Sequence, residues 1–318
     1  MCHKVEMPWD AFSMARLALG AAVLLYAVRS DVLTRRVTDA CWWLFLGAGI
    51  FILEAQLVFE GEDPLYLLSP FYIAVFFLTL WFEGEVLGDH VKTKDSLAVA
   101  GLLNAAAITI YLIQVLKGAE IDDLAGLRHL QLLSIPVMML VAYGLYRTQL
   151  LSGGADAKAF LSLAVLVPFY PAPQFDILGI PTVFLIICPF VLAVFFSAAF
   201  FTLLNPLGLV IYNISRGDTG RLMFFAYRLP LGEARTKKFI WLSESIEGGK
   251  RLNHYFRFRD QTGKWKRTQL DMLREAGEKK VWVQPQIPFM VQLAAGFIFT
   301  YLFGNIILFG IIKLFSGV

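Results

Sequence analysis

Residues 177–204 read ILGIPTVFLIICPFVLAVFFSAAFFTLL, a run without a single charged side chain. This run exceeds the roughly 20 apolar residues that a helix needs to cross a bilayer. It lacks the polar–apolar alternation of a membrane β-barrel strand, and a helix satisfies its own backbone hydrogen bonds in lipid. The stretch therefore predicts a transmembrane helix.

The whole chain has the composition of a membrane protein. Of its 318 residues, 58% are hydrophobic and 17% are charged, and the mean hydropathy is +0.63. These values exclude an ordinary soluble globular protein. We predict an all-α polytopic membrane protein with about eight transmembrane helices. The predicted spans lie near residues 11–30, 39–58, 65–82, 96–116, 130–149, 157–172, 177–204 and 287–315.

The basic residues indicate which ends of the spans face the cytoplasm. If the connections alternate sides, the segments 31–38, 83–95, 150–156 and 205–286 lie on one side of the membrane. These segments and their flanks hold most of the 28 Lys and Arg residues, and loops rich in Lys and Arg stay in the cytoplasm. We therefore expect a multi-pass protein of the cell membrane with these segments inside. Arg16, near the outer end of the first span, is expected to extend its charge outward.

The segment 205–286 predicts a domain outside the bilayer. It separates a membrane domain, 1–204, from a last transmembrane helix within 287–318. In it, apolar and basic residues alternate over Tyr255–Arg259 and Lys264–Thr268 on either side of a turn, which indicates a β-hairpin. The basic face of this hairpin is interpreted as solvated or in contact with anionic headgroups, and direct contact with a substrate is the alternative.

Four carboxylates lie in or at the edge of the predicted spans: Asp31, Glu54, Asp156 and Asp176. A charged side chain costs about 2.5–3.5 kcal/mol at the centre of a membrane helix, so each is a candidate functional residue. In the predicted topology Asp31 ends the first span and Asp156 begins the sixth, both on the cytoplasmic side. Two carboxyl groups at one depth can share a proton, one activating water and the other protonating a scissile carbonyl oxygen. That is aspartic protease chemistry.

Asp156 stands in a glycine-rich stretch, SGGADAK at 152–158. Gly153 and Gly154 leave room for another chain to approach closely, while the helix dipole and Lys158 favour the ionised form of the carboxylate. Taken singly, Asp31 and Asp156 also fit a structural role as helix caps. Their common depth and side favour a catalytic pair.

The sequence predicts no metal and no organic cofactor. The cysteines, Cys2, Cys41 and Cys188, show no CxxC spacing. Neither a zinc site nor a disulfide framework is therefore supported.

Three segments together resemble the archaeal preflagellin and prepilin peptidases of peptidase family A24, which belong to the GxGD membrane aspartic proteases. Asp31, followed by the basic sequence RRV at 35–37, is similar to the first aspartate motif of this family. GGADAK at 153–158 is similar to the second aspartate motif. VWVQPQIP at 281–288 is similar to the segment that leads archaeal members from their soluble domain into the last helix.

The resemblance implies a membrane aspartic endopeptidase in which Asp31 and Asp156 are catalytic and Gly153, Gly154 and Lys158 support them. Its substrate would be the precursor of an archaellin or type IV pilin-like subunit, cut at the cytoplasmic face between a short basic leader and a hydrophobic helix. The lipid bilayer is the other expected partner. No nucleic-acid partner is expected, and no oligomeric state is predicted.

The chain departs from the family pattern in three places. Ala155 stands where the strict GxGD motif has glycine, and an additional pair of predicted spans lies near 65–116. Because an inserted pair preserves sidedness, Asp31 and Asp156 still share one side. The paired CxxC cysteines of many bacterial members are missing, and the N-methylation activity of those members is not inferred.

Two other functions compete with proteolysis. In a transporter or channel, Asp31, Glu54 and Asp156 would line a proton or cation path, and charged residues would be spread through the depth of the bundle. A non-catalytic scaffold would only present the segment 205–286, and substitution of the aspartates would then leave its function intact.

Overall fold

The computed structural model describes residues 10–61, 105–106, 109, 112–113, 116, 131–132, 134–148, 154–171, 188–255 and 263–316. The chain divides into two compact units, Met1–Ala199 with Phe289–Val318, and Phe200–Pro288. The predicted span near 65–82 lies outside the described residues, as does most of the span near 96–116.

Helices dominate the described residues, and the strands lie near the C-terminus. Labels follow chain order over the described elements. The elements are α1 (Ala11–Thr34), α2 (Asp39–Phe59), α3 (Ser134–Arg147), α4 (Gly154–Leu166), α5 (Phe190–Ser215), a 3₁₀ turn (Arg221–Phe224), β1 (Tyr227–Pro230), α6 (Leu231–Thr236), β2 (Ile240–Leu242), β3 (Glu244–Glu247), β4 (Lys250–Asn253), α7 (Gly263–Glu275), β5 (Lys280–Pro285), α8 (Phe289–Phe303) and α9 (Ile306–Ser316).

Several of these helices are long and apolar enough to cross a membrane. Within the described residues, α1, α2 and α5 each meet this condition, and α8 with α9 meets it as a bent pair. The described part of the chain thus holds three candidate spans, or four if the bent pair is one span. The helical character of the predicted membrane part is confirmed, whereas the expected number of about eight spans extends over residues that the structure does not describe.

Two predicted spans differ from the observed helices in their bounds or continuity. The last one, 287–315, is not a single helix, because α8 ends at Phe303 and α9 runs at 87° to it. Gly304 lies at the break with φ of 73°, the left-handed conformation that glycine adopts at a helix end. The seventh span does not end at 204: α5 continues through Pro206 to Ser215, since the sequence stays apolar beyond the proline.

Close contacts hold α8 between α1 and α5 in the first unit. The Tyr301 hydroxyl donates to the Ser13 carbonyl oxygen on α1 at 2.7 Å, and the hydroxyl oxygens of Thr300 and Ser197 on α5 lie 2.8 Å apart. A Cβ at Gly296 would lie only 2.8 Å from a backbone nitrogen of α5, so the two backbones pack directly against each other. These contacts fix the middle and the C-terminal part of α8.

Arg16 does not extend outward as the sequence predicts. It is 3% exposed within the helical core of the first unit. Its guanidinium carbon lies 5.6 Å from the centroid of the Phe169 ring. A cation over an aromatic face recovers part of the cost of burying the charge, which explains how this arginine is accommodated among the helices.

The second unit, Phe200–Pro288, contains two small antiparallel sheets. In the first sheet, β5 lies between β1 and β2, and Val283 is the register partner of both Tyr227 and Leu242. β3 and β4 form a hairpin whose two-residue loop, Gly248-Gly249, has φ of 58° and 75°. Positive φ at both loop positions is typical of a type I′ turn, which glycine adopts without steric cost.

The β-hairpin predicted around residues 260–263 is wrong. Residues 264–268 lie in α7, and residues 256–262 fall outside the described part of the chain. Trp265, Gln269, Leu270 and Leu273 lie on one face of α7, the last three of them buried. This helical spacing extends over three turns, whereas the alternation that suggested a strand covers only five residues.

Candidate active site

Asp31 lies in the last turn of α1. The helix ends because Arg35 adopts the left-handed conformation, φ 57°, and its N–H donates to the Asp31 carbonyl oxygen at 2.9 Å. The side chain of Asp31 is half-buried. The backbone N–H of Met290 lies close enough to its carboxylate to act on it, and the positive charge of Arg35 lies near it.

The Met290 donor belongs to the first turn of α8. The first four N–H groups of a helix have no intrahelical partner, so this one is available to a side chain without loss to the helix. The positive end of the helix dipole adds to the attraction for a carboxylate. Since α8 is held against α1 and α5, the donor is fixed with respect to Asp31.

Asp156 lies in the first turn of α4 and is also half-buried. α4 packs against α1, α2 and α3. Asp31 is close enough to Asp156 for the charge of one carboxylate to act on the other. The structure therefore brings together the two aspartates that the sequence pairs, the one at the end of α1 and the other at the start of α4.

Lys158 forms an ion pair with a third aspartate. Its ammonium nitrogen lies 2.7 Å from a carboxylate oxygen of Asp39, the first residue of α2. The Lys158 side chain is 17% exposed and that of Asp39 is 48% exposed. This ion pair joins the start of α4 to the start of α2 and so orients the turn that carries Asp156.

The structure describes only one of the two glycines that are predicted to support the site. Gly153 lies outside the described residues. Around Gly154, no atom of the described residues comes within 4 Å of the position a Cβ would take. The space beside Gly154 is thus open, and Ala155, which replaces the glycine of the strict motif, is half-buried next to it.

Glu54, another candidate carboxylate, lies far from this site. Glu54 is on α2, fifteen residues beyond Asp39, which corresponds to about 22 Å along a helix. Asp176 lies outside the described residues. Within the described ranges, no three His, Cys, Asp or Glu side chains are grouped closely enough to hold a metal ion.

Two residues of the site were not anticipated from the sequence. Met290 contributes through its backbone N–H, which every residue except proline carries, so its side chain gives no signal. Asp39 follows a run of basic residues and reads as the first residue of a helix. A pairing between Asp39 and Lys158, far apart in the chain, carries no sequence signal without an alignment.

Comparison with known proteins bears on the C-terminal region and on about half of the chain. Residues 220–306 match the family described as Archaeal Peptidase A24 C-terminus Type II. A preflagellin peptidase of Methanococcus maripaludis is 25% identical over 162 residues, 49% of this chain and 65% of the relative. The preflagellin peptidases of Methanocaldococcus jannaschii (25% over 159 residues, 48% and 63%) and Methanococcus voltae (26% over 166 residues, 49% and 65%) are similar to the same extent.

The matched regions cover less than two thirds of each of these relatives. The family match lies in the part of the chain that contains the sheets, α7, β5 and α8. It includes the VWVQPQIP segment at 281–288, one of the three segments on which the sequence resemblance depends. Family match and relatives together confirm the resemblance of this chain to the archaeal preflagellin peptidases of family A24.

Proposed function

We propose that this chain is a membrane-embedded aspartic endopeptidase that removes the short basic leader from type IV pilin-like or archaellin precursors. The observation that carries the proposal is the proximity of Asp31 and Asp156, two half-buried carboxyl groups at adjoining helix ends. The three relatives named preflagellin peptidase support the substrate class.

In this proposal Asp31 acts first as the base and Asp156 as the acid. The Met290 N–H and the positive charge of Arg35 lie beside Asp31. Two neighbouring carboxyl groups do not both ionise readily, so the pair holds one proton in common. In the proposal that proton lies on Asp156, and Asp31 is the ionised member.

The proposed reaction needs these two groups and one water molecule. Asp31 takes a proton from the water as its oxygen attacks the scissile carbonyl carbon, and Asp156 gives its proton to the carbonyl oxygen. A neutral gem-diol results. The proton on Asp31 then moves to the peptide nitrogen as the C–N bond breaks, and one diol proton returns to Asp156 as the new carboxylic acid forms. The aspartates end with one shared proton, as they began.

The proposed location is the cytoplasmic boundary of the cell membrane. Residues 1–204 and 287–318 would lie in the membrane, the end of α5 at its boundary, and the rest of 205–286 in the cytoplasm, as the distribution of Lys and Arg suggests. The apolar helix of a precursor would lie against the spans while its basic leader stays at the inner surface. The open space beside Gly154 gives an extended peptide room to approach Asp156.

The test is cleavage of a leader-bearing precursor by the purified full chain in membranes, with the new N-terminus sequenced. Asp31→Asn and Asp156→Asn are each expected to abolish cleavage while the protein remains inserted. Asp271→Asn is the matched control, because Asp271 forms a half-exposed ion pair on α7 and has no part in the proposed chemistry. Normal processing by both single variants of the pair would reject the proposal.

The transporter or channel that the sequence left as an alternative is not supported by these comparisons. It would need charged residues through the depth of the bundle, whereas the two neighbouring carboxyl groups described above share one end of the helices. None of the relatives named above is a transporter. Proton or cation uptake into vesicles that contain the purified chain, lost in Asp31→Asn, would favour the transporter over the peptidase.

A further inference from the structure

The second unit contains a pocket of about 370 Å³ that the proposed proteolysis does not use. Its volume is within the range of small-molecule binding sites. Three arginines, a buried glutamate and an indole ring line it, together with a glycine. These residues are Arg221, Arg228, Arg251, Glu244, Trp282 and Gly220.

The three arginines differ in whether a neighbouring carboxylate balances their charge. The charge of Arg251 is balanced, because one of its nitrogens lies 2.6 Å from a carboxylate oxygen of Glu244 and the other pairs with Glu278. Arg221 and Arg228 have no carboxylate within ion-pair distance among the residues that the structure describes. The pocket therefore carries a net positive charge.

The pocket is built on a fixed aromatic residue. Trp282 is 4% exposed and packs with Leu222 and Ala226, and its backbone N–H donates to Glu244 at 3.1 Å. The guanidinium carbon of Arg228 lies 4.9 Å from the centroid of the indole ring. A stacked guanidinium is held in place and loses less entropy when it binds an oxyanion, for which its paired N–H groups are suited.

The pocket is tied to the end of a membrane helix. The side-chain amide of Asn213, in the last turn of α5, donates to the carbonyl oxygens of Met223 at 2.9 Å and Ala226 at 2.7 Å. These bonds attach the segment that bears Arg221 and leads into Arg228 to that helix end. Within the same unit, α5 exposes apolar side chains at helical spacing: Leu203, Leu207, Ile211 and Ile214.

We propose that this pocket binds the phosphate of an acidic phospholipid headgroup through Arg221 and Arg228. The exposed apolar side chains of α5 supply a surface for the acyl chains of such a lipid, which a soluble phosphate compound would not use. A nucleotide fits less well, because Arg228 already covers the buried indole and leaves no aromatic face for a base. The inference goes beyond the proposed proteolysis and does not depend on it.

The experiment uses the full chain in a neutral detergent and calorimetric titration. The probe is dioctanoyl phosphatidylglycerol, with dioctanoyl phosphatidylcholine as the zwitterionic control and glycerol phosphate as the soluble control. We expect tight binding of the acidic lipid only. Arg221→Gln is expected to weaken it about fivefold, and the double variant with Arg228→Gln about 25-fold, from the usual contribution of each basic residue near an anionic surface.

The matched control removes two positive charges of the same unit outside the pocket. The double variant Lys238→Gln with Lys250→Gln changes two exposed lysines and is expected to bind the lipid within twofold of the unchanged protein. Arg221 is exposed, so its single variant tests the site even if the double variant fails to fold. Equal weakening in the lysine control, unchanged binding in Arg221→Gln, or equally tight binding of glycerol phosphate would each overturn the proposal.

Discussion

The hydrogen bond from the Met290 backbone to Asp31 can be removed by the substitution Met290→Pro. Proline lacks an N–H, and the first turn of a helix tolerates it because the N–H groups there have no intrahelical partner. Met290 is 1% exposed, so the substitution also removes buried side-chain atoms. Met290→Ala is therefore the matched control, since it loses much of the side chain but keeps the donor.

The size of the effect follows from the nature of the bond. One hydrogen bond to a charged group contributes about 1.5–3 kcal/mol, which corresponds to roughly a 10- to 150-fold change in rate. We expect kcat for precursor cleavage to fall by this factor in Met290→Pro relative to Met290→Ala. KM is expected to stay nearly constant, because the bond orients the reacting carboxylate and does not touch the substrate.

The assay is the rate of leader removal from a purified precursor in defined membranes, at several precursor concentrations. Insertion and thermal unfolding of both variants are measured first, so that a loss of folded protein is not counted as a loss of catalysis. If Met290→Pro cleaves as fast as Met290→Ala while both are folded, the donor has no role in the chemistry and the assignment of Asp31 as the base loses its main support.

Three further predictions concern stability and are measured by unfolding of the full chain. Gly296→Ala is expected to cost about 1–3 kcal/mol, because its Cβ would meet backbone atoms of α5 at 2.8 Å and 2.9 Å, whereas Gly310→Ala, with open space around it, changes thermal unfolding little. Lys158→Gln and Asp39→Asn are each expected to cost about 0.2–1 kcal/mol, and an additive loss in the double variant would show that they do not act as a pair. Glu244→Gln is expected to destabilise the second unit by about 1–3 kcal/mol, seen as faster limited proteolysis of residues 200–288, and unchanged proteolysis would contradict the structural role of its ion pair.

The sequence predicts the helical membrane part well and the second unit poorly, for a physical reason. A long apolar run has few alternatives to a helix in lipid, so α1 and α2 are foreseen within several residues. α5 is foreseen as a helix, but it covers Phe190–Ser215 and not 177–204. Outside the lipid, a short apolar pattern can fit either the two-residue repeat of a strand or the 3.6-residue repeat of a helix. The five-residue alternation near 264–268 indicates a strand, whereas tertiary packing of one helix face selects α7. The Gly248-Gly249 pair is a better hairpin signal than the alternation near 264–268.

The break between α8 and α9 shows a second limit. Hydropathy reports whether residues tolerate lipid and carries no information on direction, so 287–315 reads as one continuous span. A glycine followed by an asparagine at 304–305 is a weak signal by itself, because glycine is frequent within membrane helices. Only the left-handed conformation of Gly304 reveals the turn.

The proximity of Asp31 and Asp156 could be predicted because topology constrains depth. A chain that crosses the bilayer an even number of times between two positions returns to the same side, so the pairing of Asp31 with Asp156 required only a correct parity. The groups around them were less accessible. The burial of Arg16 and the donor from Met290 depend on which helices are neighbours, and spacing along the chain does not determine that.

Because of the right-angled turn after α8, the position of this helix depends on the thickness of the surrounding lipid bilayer. α8 has fifteen residues, about 22 Å of helix, against a hydrocarbon layer of about 30 Å. At 87° to α8, α9 adds almost no reach across that layer. One end of α8 lies beside Asp31 and the other leads into α9, which runs across it. In a thicker bilayer, either the lipid layer has to become thinner around α8 or the end of α8 beside Asp31 has to move toward the membrane interior.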